Sequence, residues 1–140
     1  MKTELNKPIC LDTGLITLNY AKEIPESVFS LFNEIKLGYT PVFLTEIVLV
    51  EAYTKITQSF GKEFAQAAMN NFLAKIPFTP IIIDLELIKR AGNLKTMYIR
   101  KLSYTDCISI AFCIQNKIVF HTTEKDLPIL SNLIVKKHYF

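Results

Sequence analysis

Asp106 is the only charge in LSYTDCISIAFC (residues 102–113), a stretch otherwise made of apolar, hydroxyl and thiol side chains. A buried, unpaired carboxylate is costly and takes up a proton rather than stay charged. Asp106 must therefore cap a helix, pair with a cation or hold a metal. Three further acids raise the same question: Asp12 ends the run PICLD, Glu51 interrupts IVLVEAY, and Glu124 follows two threonines in HTTEKD. Each has a local explanation. Asp106 lies three residues after Ser103, the spacing of a capping box. Glu51 could pair with Lys55 one turn on. Asp12, in DTG, could start a turn, and Glu124 could be an ordinary acid at a helix start.

Together the four carry a different chemistry. Carboxylates brought to one place repel and cannot all stay ionised unaided. A divalent cation resolves this, and an oxygen-only donor set selects Mg²⁺ or Mn²⁺ over zinc or copper. Such a site activates water and clamps a phosphoryl group for in-line displacement. Hydroxyls at Thr13, Thr45, Ser103 and Thr123 could support the acids or bind phosphate.

The elements that must position these side chains are short apolar runs alternating with helical patterns. Strands are expected at 8–11, 41–44, 80–83, 117–120 and 132–135. From Pro25, the residues Val28, Leu31, Phe32 and Ile35 follow helical spacing, with Gly38 at the exit. Thr45 caps a helix to about residue 59, Gly61 breaks it, and a second helix with Phe64, Ala68 and Phe72 on one face runs to Lys75. Asp84 and Ser103 start two more helices, and TEKDLPIL (123–130) reads as a short one. Alternating strands and helices imply a parallel sheet, and strands apolar throughout imply that both its faces are covered. The expectation is an α/β protein, a three-layer α/β/α sandwich with a parallel sheet of about five strands. In such sheets ligands bind outside the carboxyl ends of the strands. If the first and fourth strands are neighbours, Asp12, Asp106 and Glu124 converge there.

Composition supports one domain over residues 1–140. Half of the 140 residues are hydrophobic and 21% are charged, as in a globular protein. A net charge of +3 is compatible with a polyanionic partner without being evidence for one. The 3 cysteines (Cys10, Cys107, Cys113) lie in apolar runs without a CxxC pair, and the start has no apolar signal core. A reducing cytoplasm is the expected location, and no stretch is apolar for the length of a membrane span. The 2 histidines are far apart in the chain, which argues against a His/Cys zinc site.

The order LDTGLI, LTEIVLVEAY, LSYTDCISIAFC, TTEKDL resembles the PIN domain, in particular VapC-type toxins of toxin–antitoxin pairs, over about residues 8–136. The resemblance implies an endoribonuclease working with Mg²⁺ or Mn²⁺ on an acidic cluster. Asp12, Glu51 and Asp106 match its three core acids and Glu124 its fourth, where the family usually has Asp. It also implies a homodimer and a small antitoxin whose tail covers the cleft. His121 departs from the hydroxyl or aliphatic residue often found at that strand end. Asp126, two residues past Glu124, competes for the fourth place. On a helix it would point about 200° away, and Glu124 matches the register. Lys89, Arg90, Arg100 and Lys101 could bind phosphate or simply form a solvated helix face. Alternatives are a PIN-fold module that binds RNA or protein without cutting, and an RNA-processing nuclease without an antitoxin. A receiver-like signalling domain fits less well, since ICLDTG has a single acid and no lysine ends the fourth strand.

Overall fold

The computed structural model describes residues 5–138. In chain order the elements are β1 (Ile9–Leu11), α1 (Thr13–Leu18), α2 (Glu26–Lys36), β2 (Val42–Leu44), α3 (Glu46–Phe60), α4 (Lys62–Lys75), β3 (Thr79–Pro80), α5 (Leu85–Met97), α6 (Tyr104–Asn116), β4 (Val119–Thr122) and β5 (Val135–Lys137). The five strands form one sheet in the order β3-β2-β1-β4-β5, parallel throughout. Strands β1 and β4 are neighbours, with Leu11 opposite His121.

Strand alternation sends successive side chains to opposite faces, and each face has its own core. Ile9, Leu11, Val42 and Leu44 pack with Ile16, Phe32, Val48 and Phe72 of the first four helices. Cys10 and Phe120, with Phe43, pack against Leu87, Cys107 and Ile110 of α5 and α6. The sheet is thus covered on both sides, which is why the central strand β1 and its neighbour β2 are apolar at every position.

Several boundaries differ from those expected, for identifiable reasons. A short helix, α1, follows Asp12 directly. Strand β4 runs 119–122, because Lys117 takes the left-handed conformation (φ 55°) that closes α6. Asn132 is also left-handed (φ 66°), and β5 starts only at Val135. β3 covers 79–80 in place of 80–83: Ile81 N–H still reaches Leu44 O (2.8 Å), but β2 ends there as α3 begins. The stretch 123–130 is not helical. Pro128 has no N–H to donate, Glu124 N–H turns back to Thr122 Oγ1, and Leu127 is drawn into the core. On α4 the buried face is Ala65, Ala68 and Phe72, while Phe64 is 43% exposed and packs on Phe60. Among the described residues, no helix is long and apolar enough to cross a membrane.

Candidate active site

Asp12, Glu51, Asp106 and Glu124 line one open cleft of about 440 Å³ at the carboxyl edge of the sheet. Each comes from a different element. Asp12 leaves the central strand β1 and caps α1, accepting the Leu15 N–H at 3.1 Å through Oδ1. Its Oδ2 accepts the Thr122 hydroxyl and the Thr123 N–H (3.1 Å). Asp12 is only 8% exposed, and burial raises its pKa. The Thr122 hydroxyl, the Leu15 and Thr123 N–H groups and the charge of Lys55 pull the other way. A buried carboxylate with this many donors is positioned, not merely tolerated.

Glu51 lies in the second turn of α3 and does not pair with Lys55. Its Oε2 accepts the Thr13 hydroxyl (2.8 Å) and its Oε1 the Thr105 hydroxyl (2.7 Å). Asp106 sits in the first turn of α6, where its own N–H donates to the Ser103 hydroxyl (3.0 Å). The capping spacing is therefore real, and the same residue still lines the cleft. Burial raises the Asp106 pKa, Ser103 opposes the rise, and the negative charges of Asp12 and Glu51 add to it. That repulsion is the signature of acids sharing a site.

Glu124 follows β4 and has its N–H on Thr122 Oγ1 (3.0 Å). One hydroxyl, Thr122, thus ties the Asp12 carboxylate to the backbone of Glu124. Thr13, Ser103 and Thr123 line the cleft with the acids, and Asp126 does not. Thr45 is elsewhere: it caps α3 through Val48 N–H (3.3 Å). Lys89, Arg90, Arg100 and Lys101 are exposed and outside the cleft, and Arg90 pairs with Glu86 at 3.0 Å. Thr105 and Thr122 were not singled out from the sequence. Their only local signal is adjacency, Thr105 to Asp106 and Thr122 to the strand end.

The donor set is all oxygen, which fits a hard divalent cation. Among the described residues no three His, Cys, Asp or Glu side chains stand close enough to form a finished metal cage. The two histidines, far apart in the chain, meet in space, His121 Nδ1 lying 2.9 Å from His138 Nε2.

The PIN domain family matches residues 9–132. Solved structures share the fold. VapBC2 from Rickettsia felis, bound to a DNA fragment from its promoter, is 19% identical, with TM-score 0.72 over 94% of this chain and 98% of that one. DNA-bound VapBC from Salmonella typhimurium is 17% identical (TM-score 0.65; 95% and 98% covered). VapC20 of Mycobacterium tuberculosis, a Sarcin-Ricin loop cleaving toxin, is 18% identical (TM-score 0.64; 84% and 91% covered). No curated protein matches the chain.

Proposed function

The chain belongs to the PIN domain family, and from that premise we propose that it is a metal-dependent endoribonuclease, the toxin of a toxin–antitoxin pair. One observation carries the proposal: Asp12, Glu51, Asp106 and Glu124, separated in sequence, line a single open cleft at the carboxyl edge of a parallel sheet.

Mg²⁺ or Mn²⁺ bound there supplies a Lewis acid and a water of lowered pKa for phosphodiester hydrolysis. Asp12 and Asp106 are its direct ligands in this reading. Glu51 binds the cation or orients the attacking water, and Glu124 completes the set, directly or through water. The supporting groups have defined tasks. Three donors fix both oxygens of Asp12. The hydroxyls of Thr13 and Thr105 fix one Glu51 oxygen each, so its carboxylate cannot swing out to solvent. Each of those oxygens keeps acceptor capacity for a further partner. Pre-set ligands of this kind avoid reorganisation during reaction.

The test is RNA cleavage by the purified protein with Mg²⁺ or Mn²⁺, stopped by EDTA and by Asp12→Asn. Cutting that continues undiminished in EDTA would sink the metal mechanism.

The antitoxin part of the proposal has its own support. An apolar groove of about 560 Å³ lies between α3 and α4, lined by Leu49, Val50, Tyr53, Met69, Leu73 and Phe78. It suits the apolar face of a partner helix, and the neighbouring acids suit an arginine from the same partner. Co-purification with the product of an adjacent gene tests this. Exposed Ile82, Leu85, Ile88 and Met97 support a homodimer, checked by light scattering. The free cysteines suit a reducing cytoplasm.

A further inference from the structure

The acids explain how the cleft would hold a cation. They do not explain how it would hold RNA. A divalent cation neutralises only part of four carboxylates, so a phosphodiester approaching the site still meets a negative lining. Among the cleft-lining residues only Lys55 carries a positive side chain. It lies one turn beyond Glu51 on the α3 wall, with Thr54 and Gln58 beside it.

Three observations separate Lys55 from a bystander. It lines the same cleft as Asp12 and Asp106. Yet it forms no ion pair: among the described residues the only one within 4.0 Å joins Arg90 and Glu86. And its neighbour cannot substitute for it, because the Thr54 hydroxyl donates back to Val50 O (2.9 Å). The ammonium is thus exposed, uncommitted and close to the acids. The four surface cations Lys89, Arg90, Arg100 and Lys101, which could have bound phosphate or formed a solvated helix face, do not line the cleft.

Building on the ribonuclease reading, we propose that Lys55 binds a backbone phosphate of the RNA and seats the chain against the acidic cluster. It acts as a point-charge phosphate ligand with three donors on a flexible stem. Gln58, one turn further out and exposed, extends the same wall with a neutral donor.

The experiment uses whichever RNA the wild-type protein cuts. Binding is measured with Mg²⁺ present in an Asp106→Asn parent, with and without Lys55→Met, across a salt series. Lys55→Met should weaken binding several-fold and make the slope of log K against log salt shallower by about 0.7, the loss of one phosphate contact on a single strand. In the otherwise wild-type protein it should raise KM more than it lowers kcat, and Lys55→Arg should restore most of the loss. Mn²⁺ affinity, followed by electron paramagnetic resonance, is the control for a counter-ion role. Unchanged RNA affinity, salt slope and KM, with only Mn²⁺ affinity altered, would overturn the assignment and leave Lys55 a counter-ion to the acids. A wild-type protein that cuts no RNA with either metal would bring down the nuclease reading and this one together. Wild-type cutting with normal RNA affinity in Lys55→Met brings down this one alone.

Discussion

Asp106 does two things that look like alternatives in the sequence. Its N–H completes the cap with Ser103, and its carboxylate faces the cleft. Asparagine preserves the first and removes the second. The pH dependence follows from the sign of the shift. The folded-state pKa is raised above 3.8 by burial, so ionisation destabilises the metal-free protein above that raised pKa. The penalty fades as pH falls through it. In EDTA at neutral pH, Asp106→Asn should therefore melt no lower than wild type, with the difference shrinking toward pH 3.8, while cutting is lost. Retained cutting would leave Asp106 as a cap alone. The threonines allow a companion test. Thr13→Val or Thr105→Val removes a donor from a charged acceptor at constant shape, which costs roughly 1.5–3 kcal/mol, and each should slow cutting. Neutral effects in both would mean that Glu51 is not held. The acids were legible in the sequence because charge inside an apolar run demands an explanation. Of their hydroxyl partners Thr13 was also legible, but Thr105 and Thr122 were not, because they reach residues 54 and 110 positions away and only adjacency to an acid or a strand end marks them locally.

At the scale of elements, the strand ends decide which side chains reach the cleft. Alternation of apolar runs with helical periods was enough to read the five-stranded parallel sheet and most helices. It failed where one residue's backbone state sets a boundary, as at Lys117 and Asn132. It also failed at α1, where DTG has the composition of a turn, yet Asp12 caps a helix that carries a glycine in its first turn. That glycine is required by a close approach: a Cβ on Gly14 would sit 2.2 Å from Thr123 Oγ1. Gly14→Ala should therefore push Thr123 away from Asp12, cost about 1–3 kcal/mol as overpacking does, and lower activity. Adding Thr123→Ala removes the clashing oxygen and should recover part of the stability. Strictly additive losses in thermal melts of the double variant would show that the two do not meet. The same loop settles where the acids after β4 stand. No helix turns Asp126 away from Glu124, so that argument for choosing between them is gone, but Glu124 lines the cleft and Asp126 does not. Glu124→Gln should slow cutting and Asp126→Asn should have little effect in the same assay. The reverse pattern would assign the fourth place to Asp126.

At the scale of the whole molecule, the order β3-β2-β1-β4-β5 places Asp12 at the sheet's centre and leaves β5 on an edge. An edge strand of three residues needs support from outside the ladder. It has it in two histidines that the sequence separates and the fold joins. His121 on β4 meets His138, just beyond β5, at 2.9 Å, and His138 Nδ1 lies 3.1 Å from the Ser27 hydroxyl on α2. His138 N–H also bonds Thr122 O (2.9 Å), so the contact fastens β5 beside the residue that holds Asp12. The ring-to-ring hydrogen bond needs one nitrogen to donate and the other to accept, so the facing nitrogens cannot both be protonated. Burial, then the charges of His138 and Lys136, lowers His121 to about 4, and burial with Lys136 lowers His138. The sign is opposite to that at Asp106. An unfolded chain takes up protons as pH falls below 6.5, the folded one resists, and stability is lost progressively down to about 4. His121→Gln keeps a polar partner for His138 and removes one titrating ring. Its melting temperature should fall less steeply than that of wild type between pH 6.5 and 4. In wild type, the protection of the His138 amide against hydrogen exchange, relative to its intrinsic rate at each pH, should fall over the same range, because acid releases the edge before the core. Parallel melting curves for the two proteins would show that the histidine contact does not fasten β5.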